Sequence, residues 1–141
     1  AMLSISVPVE KYITPDPVVA TEAMGIDELQ RLMTKHNIRH LPVVREHKVV
    51  GIITDRDVRL VSGLSAAEKY QVQARDLMAL DPLMFSVGTP LEDVAQAMAE
   101  RKIGSVIVND PDGALLGIFT ATDALKALIE MIHKAPRTLT P

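Results

Sequence analysis

The sequence predicts an α/β (α+β) protein built from two copies of one small unit. Two observations support this class: the 141 residues contain an internal repeat, and both copies follow the same order of amphipathic helix and short apolar strands. A unit of about 50 residues is marginally stable by itself. We therefore expect the two copies to pack sheet to sheet around one shared core, related by a pseudo-two-fold axis.

A shift of 65 residues aligns the two halves of the chain. It places Met33 on Met98, and after a one-residue insertion in the turn at 112–113 it places Asp57 on Asp123. Matches along a whole half, with a single gap in a turn, are typical of a duplicated unit. The repeat therefore predicts two structurally equivalent halves.

The repeat also predicts how the chain is divided. The aligned units cover roughly 11–60 and 76–127. Between them, Gly63 predicts a break, and Ser65 with its following residues has the pattern of a helix cap, so we expect a short helix that acts as an inert connector. The resulting division is a first unit with an N-terminal extension at 1–61, a linker helix at 62–75, a second unit at 76–134 and a C-terminal tail at 135–141.

An amphipathic helix is predicted early in each copy. Apolar residues recur at i, i+3, i+6 and i+7 over 26–36, and again from Leu91 onward. In the second copy, Thr89 as N-cap, Pro90 as the first helical residue and Glu92 three residues past the cap form a capping-box pattern. The N-terminus of this helix is therefore predicted more strongly in the second copy than in the first.

Two short apolar strands follow each of these helices. They are predicted at 41–44 and 49–53 in the first copy and at 105–108 and 115–119 in the second. Polar turns separate the strands of each pair. Each copy then ends in a second helix that begins at a threonine.

The composition excludes several classes of protein. Apolar residues make up 48% and charged residues 23%, which is typical of a soluble folded protein. No apolar run approaches the roughly 20 residues of a membrane span, and the first ten residues lack the pattern of a signal peptide. A net charge of −3 and only four aromatic residues argue against nucleic-acid binding. We expect a cytoplasmic protein with neither membrane nor nucleic-acid partners.

No cluster of catalytic or metal-binding residues stands out. His36 and His40 are four residues apart, but His40 falls at the transition from helix to strand and no third ligand is near in the sequence. Ser105 and Thr120 have no paired base, and the absence of cysteine excludes thiolate chemistry. We therefore expect no enzymatic activity, no catalytic cofactor and no metal.

A Gly-apolar-x-Thr-x-x-Asp motif closes the last strand of each copy, at 51–57 and 117–123. One interpretation is structural, because threonine as N-cap and aspartate at N3 satisfy backbone N–H groups at a helix start. A second use is open to the same residues. A helix N-terminus favours a phosphate, and a carboxylate in the first turn can accept hydrogen bonds from a ribose. The two roles are compatible, and the motif alone leaves both open.

These motifs resemble those of tandem CBS domains, a pair often called a Bateman module. The resemblance rests on 38–44 with 51–57 in the first copy and on 103–108 with 117–123 in the second, and it covers almost the whole chain. The first copy is especially similar to stand-alone bacterial CBS pairs, including the acetoin-utilisation type.

The resemblance implies a regulatory sensor that binds an adenosine-containing ligand such as AMP, ADP or ATP, or alternatively NAD or S-adenosylmethionine. Two clefts between the copies would bind it, with aspartate on the ribose, threonine and helix N–H groups on phosphate, and aliphatic side chains on adenine. The first cleft would use Thr54, Arg56 and Asp57 with Pro82, Leu83, Ile103 and Ser105. The second would use Thr120, Thr122 and Asp123 with Pro17, Val18, Ile38 and His40.

The two implied clefts differ in charge. Arg56 has Thr122 as its counterpart, so the first cleft carries a fixed cation and should prefer the more anionic ligand. In the second, His40 is only partly charged near pH 7, which predicts weaker or pH-dependent binding. Replacing Asp57 or Asp123 by alanine is expected to remove one binding event each, with little loss of fold.

The resemblance has further implications and leaves one alternative open. CBS pairs commonly associate as homodimers in a flat disc, so a homodimer is implied, together with a separate regulated protein that would receive the signal. The alternative is a ligand-free structural or protein-docking module with the same fold.

Overall fold

A computed structural model of the chain describes residues 6–135 and confirms the mixed α/β class. The described part contains two four-stranded sheets and six α-helices, preceded by a 3-10 turn at Val9–Lys11. The strands are β1 (Thr14–Pro15), β2 (Ala20–Thr21), β3 (His40–Arg45), β4 (Lys48–Thr54), β5 (Ala79–Leu80), β6 (Met84–Ser86), β7 (Ser105–Asn109) and β8 (Leu115–Thr120). The helices are α1 (Ile26–His36), α2 (Asp55–Ser62), α3 (Ala66–Tyr70), α4 (Ala74–Leu77), α5 (Leu91–Arg101) and α6 (Ala121–Lys134).

Two expectations concern the ends of the chain. The sequence predicts no signal peptide in residues 1–10 and a C-terminal tail at 135–141; of these, 1–5 and 136–141 lie outside the described residues. Within 6–135, no helix combines the length and the apolar character that crossing a bilayer requires.

The helix predicted at 26–36 is confirmed as α1. Acidic residues in its first turn complement the helix dipole, and Asn37 ends it in the left-handed conformation with φ of 51°. Ile26, Leu29 and Met33 form its buried face. The local pattern of apolar residues is therefore sufficient to specify this helix.

The predicted capping box at the start of α5 is wrong. The N-cap is Pro90, and the Thr89 hydroxyl donates instead to the Ser86 carbonyl at 2.7 Å. The backbone N–H of Leu91 donates to the Val7 carbonyl at 2.7 Å, so the N-terminal extension satisfies this helix start in place of a side chain. A distant segment thus replaces the local cap.

The two sheets exchange their short edge strands. The first sheet has the order β2-β3-β4-β5 and the second β6-β7-β8-β1, so the strands have equivalent places in both. Thr14 of β1 lies opposite Ile118 of β8, and Ala79 of β5 lies opposite Ile52 of β4. Each sheet is therefore completed by a strand from the other half of the chain, which the sequence analysis did not anticipate.

The expectation of one shared core is also wrong, because the buried apolar residues form two clusters. Side chains alternate along a strand, so one face of each sheet packs on its own helices. Pro42 and Ile107 lie on the opposite faces and are fully buried outside both clusters, which fits sheet-to-sheet packing. The first cluster comprises Ala20, Ile26, Leu29, Met33, Leu41, Val43, Ile53, Val58 and Ala74. The second comprises Val9, Leu91, Val94, Met98, Val106, Val108, Phe119 and Ala127.

The linker between the copies contains the predicted helix start. Ser65 caps α3 through a complete capping box with Glu68, and Gly63 is the C-cap of α2. The carboxylate of Glu68 has its pKa lowered because it accepts hydrogen bonds from Ser65. The connecting segment is therefore ordered by its own local sequence.

Candidate functional site

The start of α2 is held by a reciprocal pair of hydrogen bonds. The Thr54 hydroxyl accepts from the Asp57 backbone N–H at 3.2 Å. In return, Oδ2 of Asp57 accepts from the Thr54 backbone N–H at 3.0 Å and from its hydroxyl at 2.9 Å. The structural interpretation of the motif is confirmed, and all of these bonds to the carboxylate go to one of its two oxygens.

The start of α6 repeats this arrangement and adds one contact. Oδ2 of Asp123 accepts from the Thr120 backbone N–H at 2.9 Å and from its hydroxyl at 3.0 Å. In addition, the Thr14 hydroxyl on β1 lies 3.4 Å from both carboxylate oxygens. Asp123 is only 8% exposed. The exchanged strand thus covers the second aspartate.

The first aspartate has no equivalent cover. The repeat aligns Thr14 with Ala79, whose methyl group cannot donate a hydrogen bond. Asp57 is accordingly half-buried, whereas Asp123 is buried. The two halves are therefore equivalent in backbone but different in how open their carboxylates are.

The segments before β3 and β7 lie beside the two helix starts. The Asp55 backbone N–H donates to the Arg39 carbonyl at 2.9 Å, and the Ala121 N–H donates to the Gly104 carbonyl at 3.0 Å. Within each sheet, His40 lies opposite Thr54, and Ser105 lies opposite Thr120. The loops that close the first helix of each copy therefore border the N-terminus of the second.

The two copies contact each other beside the N-termini of α2 and α6. A Cβ added to Gly104 would lie 3.2 Å from Cε1 of His40, so the imidazole of one copy rests against the glycine of the other. The Thr14 to Asp123 contact is the second such crossing. Both helix N-termini therefore face the boundary between the copies.

His40 is the polar side chain with the most perturbed surroundings at this boundary. Its Nδ1 is buried without a hydrogen-bond partner among the described residues. Burial lowers the pKa of His40 below its usual 6.5, and the nearby Arg39 lowers it further, while Asp55 raises it. The net effect favours the neutral imidazole.

We predict that protonation of His40 destabilises the fold. Because the pKa of His40 is lower in the folded state than in the unfolded chain, the unfolded state binds more protons. The stability contributed by neutral His40 is present above about pH 6.5 and is lost as the pH falls through the lower folded pKa. Urea denaturation between pH 7.5 and 5 measures this slope.

The variant that tests this prediction is His40→Gln, which keeps a neutral polar side chain at this position. It should flatten the pH dependence of stability between pH 7.5 and 5. An identical slope for the parent and His40→Gln would contradict the assignment.

The structure places the other predicted site residues as follows. Arg56 and Thr122 are exposed in the first turns of α2 and α6. The Leu83 carbonyl accepts from the Ile107 backbone N–H at 2.9 Å, which fixes that segment beside β7. The remaining five residues are half-buried: Pro17, Val18, Ile38, Pro82 and Ile103. Their division between two clefts stays a prediction.

Sequence reasoning missed two residues at this site. Thr14 touches Asp123 only because β1 is exchanged, and Gly104 contributes a carbonyl and a contact surface rather than a side chain. Neither residue has a local signal, since both roles depend on pairing between distant segments. Comparison of the two copies could not have indicated Thr14 either, because the residue at the equivalent position of the repeat is Ala79.

Two cavities lie away from these helix starts. One of about 630 Å³ lies between the start of α1 and α3. The other, of about 310 Å³, lies between α5, α6 and Val7. None of the predicted binding residues lines either of them. Among residues 6–135, no group of three acidic or histidine side chains is positioned to hold a metal ion.

The duplicated helix starts and exchanged sheets define a tandem α/β module, and the family model described as the CBS domain matches residues 9–62 and 74–130. The chain therefore belongs to the CBS domain family and contains two copies of the domain.

Two curated proteins show the range of relatives. An uncharacterized protein, MJ1225 of Methanocaldococcus jannaschii, is 32% identical over 128 residues, covering 84% of this chain and 46% of the relative. Inosine-5'-monophosphate dehydrogenase of Korarchaeum cryptofilum is 32% identical over 114 residues, covering 81% of this chain and 23% of the enzyme. The chain thus spans less than half the length of these relatives.

Solved CBS pairs share the fold. CBSX2 in complex with AMP has a TM-score of 0.76 at 27% identity, covering 89% of this chain and 98% of CBSX2. The CBS pair of protein MJ0100, in complex with 5'-methylthioadenosine and S-adenosyl-L-methionine, has a TM-score of 0.78 at 27% identity. The match covers 89% of this chain and 98% of the MJ0100 chain. A putative acetoin utilization protein (AcuB) from Vibrio cholerae has a TM-score of 0.80 at 25% identity. The match covers 94% of this chain and 100% of the AcuB chain.

Proposed function

We propose that the chain is a regulatory module that binds an adenosine-containing ligand at the boundary between its two CBS domains. The observation that carries the proposal is the pair of helix N-termini that face this boundary, each with a threonine and an aspartate in its first turn. Helix N–H groups favour phosphate, and a carboxylate accepts hydrogen bonds from ribose hydroxyls. The complexes of CBSX2 with AMP and of MJ0100 with S-adenosyl-L-methionine support this ligand class.

The two helix starts support binding to different degrees. At Asp57, Oδ2 serves the cap, so Oδ1 can accept from a ribose without breaking the capping box. At Asp123, a ribose would have to displace the weak contact with Thr14. We therefore propose that the Asp57 site binds first and more tightly.

Arg56 gives the first site its proposed preference for anionic ligands. It is exposed in the first turn of α2, one residue before Asp57, whereas Thr122 has this position in α6. A guanidinium close to the helix N-terminus can pair with phosphate oxygens in bidentate geometry. ADP or ATP should therefore bind better at Asp57 than at Asp123.

The test is calorimetric titration of the parent and of Arg56→Gln with AMP, ADP, ATP, NAD and S-adenosylmethionine. Removing one charged hydrogen bond should weaken the preferred nucleotide about tenfold or more. Arg101→Gln, at the exposed end of α5, is the matched control with the same loss of charge and should bind as the parent does.

Thermal denaturation gives an independent readout. Ligand at a thousand times its dissociation constant adds about 4 kcal/mol to the free energy of unfolding, which corresponds to a rise in Tm of several degrees. No rise with any of the five ligands would reject the proposal and leave the alternative, a structural or protein-docking CBS pair. Equal affinity of the parent and Arg56→Gln would reject only the role of Arg56.

The remaining parts of the proposal concern what the module does with its ligand. We propose that it performs no catalysis, uses no catalytic cofactor, acts in the cytoplasm and passes a metabolic signal to a separate protein. A segment that makes up 23% of inosine-5'-monophosphate dehydrogenase from Korarchaeum cryptofilum is similar to this chain in sequence. Co-purification with and without the preferred nucleotide would identify a partner whose retention depends on ligand.

A further inference from the structure

Residues 14 and 79 have matching positions in the two exchanged strands. Thr14 of β1 lies opposite Ile118 of β8, and Ala79 of β5 lies opposite Ile52 of β4. The repeat aligns Thr14 with Ala79 and Ile118 with Ile52, so the two strand pairs have the same register. Each of the two positions therefore lies beside the last strand of a domain, just before the helix that carries the aspartate.

The two side chains differ in what they offer the neighbouring aspartate. The Thr14 hydroxyl lies 3.4 Å from both carboxylate oxygens of Asp123, whereas the methyl group of Ala79 has no hydrogen bond to donate. Among the described residues, no hydrogen bond ends on Oδ1 of Asp57. The exposure follows the same order, since Asp123 is 8% exposed and Asp57 is half-buried.

The backbone of β1 is held closely against its surroundings. A Cβ added to Gly117 of β8 would lie 2.6 Å from the Thr14 carbonyl oxygen, so the two strands touch through their backbones. Before β1, the Glu10 carboxylate accepts from the Gly88 backbone N–H at 2.8 and 3.0 Å and ties the preceding turn to the second domain. Rotation of the Thr14 side chain, rather than movement of the strand, is therefore the smallest change that frees Asp123.

A threonine hydroxyl and a ribose hydroxyl make the same hydrogen bond to a carboxylate, because each donates one proton to one oxygen. Thr14 therefore occupies, from within the chain, an acceptor that a ribose would use. The apparent affinity of a site falls in proportion to the fraction of molecules in which the site is open. A contact that is closed in about nine molecules of ten would weaken binding about tenfold.

We infer that Thr14 is an internal competitor that closes the second nucleotide site, and that the side chain at position 14 or 79 determines whether the neighbouring aspartate is open to ligand. The inference rests on the proposed function, since it takes both aspartates to bind ribose. The Thr-x-x-Asp motif cannot specify this difference, because both domains have it. The exchanged strand specifies it instead.

Calorimetric titration with AMP, ADP, ATP, NAD and S-adenosylmethionine, each in turn, tests the competitor. The parent should show one tight binding event and a second, weaker one. Thr14→Ala copies the arrangement at Ala79 and should tighten the second event about tenfold. The matched control is Thr14→Ser, which keeps a hydroxyl and should bind as the parent does. Thr14 is exposed, so both variants should keep the circular dichroism spectrum of the parent.

The reciprocal change tests the matching position in β5. Ala79→Thr should introduce a contact with Asp57 and weaken the tight event about tenfold. Ala79→Val has the shape of threonine without the hydroxyl, and it should bind as the parent does. Ala79 is also exposed, so neither change disturbs a core.

The possible results separate the competitor from the proposed function. An unchanged second event in Thr14→Ala, or equal effects of Ala79→Thr and Ala79→Val, would overturn the inference and leave nucleotide binding in place. Two equally tight events in the parent would also overturn it. Absence of binding by the parent and all four variants would reject the proposed function, and the inference with it.

Discussion

Gly117→Ala is expected to lower the free energy of unfolding by about 1–3 kcal/mol, the usual range for overpacking. A Cβ at this position would lie 2.6 Å from the Thr14 carbonyl oxygen and 2.7 Å from Cδ1 of Ile13. Since the first obstacle is backbone, β1 would have to move away from β8 as a unit. Urea denaturation monitored by circular dichroism measures the loss.

Gly51→Ala is the matched control, because the repeat aligns Gly51 with Gly117. Here the added Cβ would lie 2.6 Å from Sδ and 2.9 Å from Cβ of Met78, which is a side chain rather than backbone. Sδ and Cγ of the methionine can rotate away, and the remaining contact with its Cβ requires a smaller shift than the contact with the Thr14 carbonyl, so the loss should be smaller than for Gly117→Ala. Equal losses would contradict the importance of the β1 crossing.

Asp123→Ala is expected to cost about 1–3 kcal/mol of stability, because it removes a buried carboxylate and leaves the half-buried donors of Thr120 without their acceptor. The carboxylate accepts from the Thr120 N–H and hydroxyl and is contacted by the Thr14 hydroxyl. The sequence alone predicted little loss of fold for this change, and the burial of Asp123 argues against that expectation. Thermal and urea denaturation of the variant give the magnitude.

Two further variants show whether burial explains the loss at Asp123. Asp57→Ala removes the same capping carboxylate from a half-buried site without a contact like that of Thr14, so its cost should be smaller. Asp123→Asn keeps an acceptor oxygen and should recover most of the stability lost in Asp123→Ala. An Asp57→Ala variant that is the less stable of the two alanine variants would reject this explanation.

Features that depend on a few neighbouring residues could be predicted from the sequence. The helix at 26–36 and the helix starts at Thr54, Ser65 and Thr120 have the expected bounds and caps. Their signals are local, because a cap is formed within four residues and an amphipathic face within three turns. The threonine and aspartate of each candidate site could be predicted for the same reason.

Features that depend on contacts between distant segments could not be predicted from the sequence. Thr89 has the local pattern of a cap, but Val7 competes for the same helix start and Ser86 accepts its hydroxyl. The sequences of β1 and β5 do not indicate that these strands are exchanged, because a strand of two residues is too short for a hydrophobic pattern that would specify its partner. The cover that Thr14 gives Asp123 follows from that exchange and was missed with it.

The exchanged strands determine which piece of the chain is self-sufficient. A fragment ending in the linker would retain β1 without β8 and leave β4 with an open edge where β5 belongs. The unpaired N–H and C=O groups of an open sheet edge can pair with a strand of another molecule. A single CBS half of this chain would therefore need a second half, supplied in the same polypeptide or by a neighbouring molecule, to close its sheet. The pair, rather than either domain, is therefore the smallest part of this chain in which both sheets are complete.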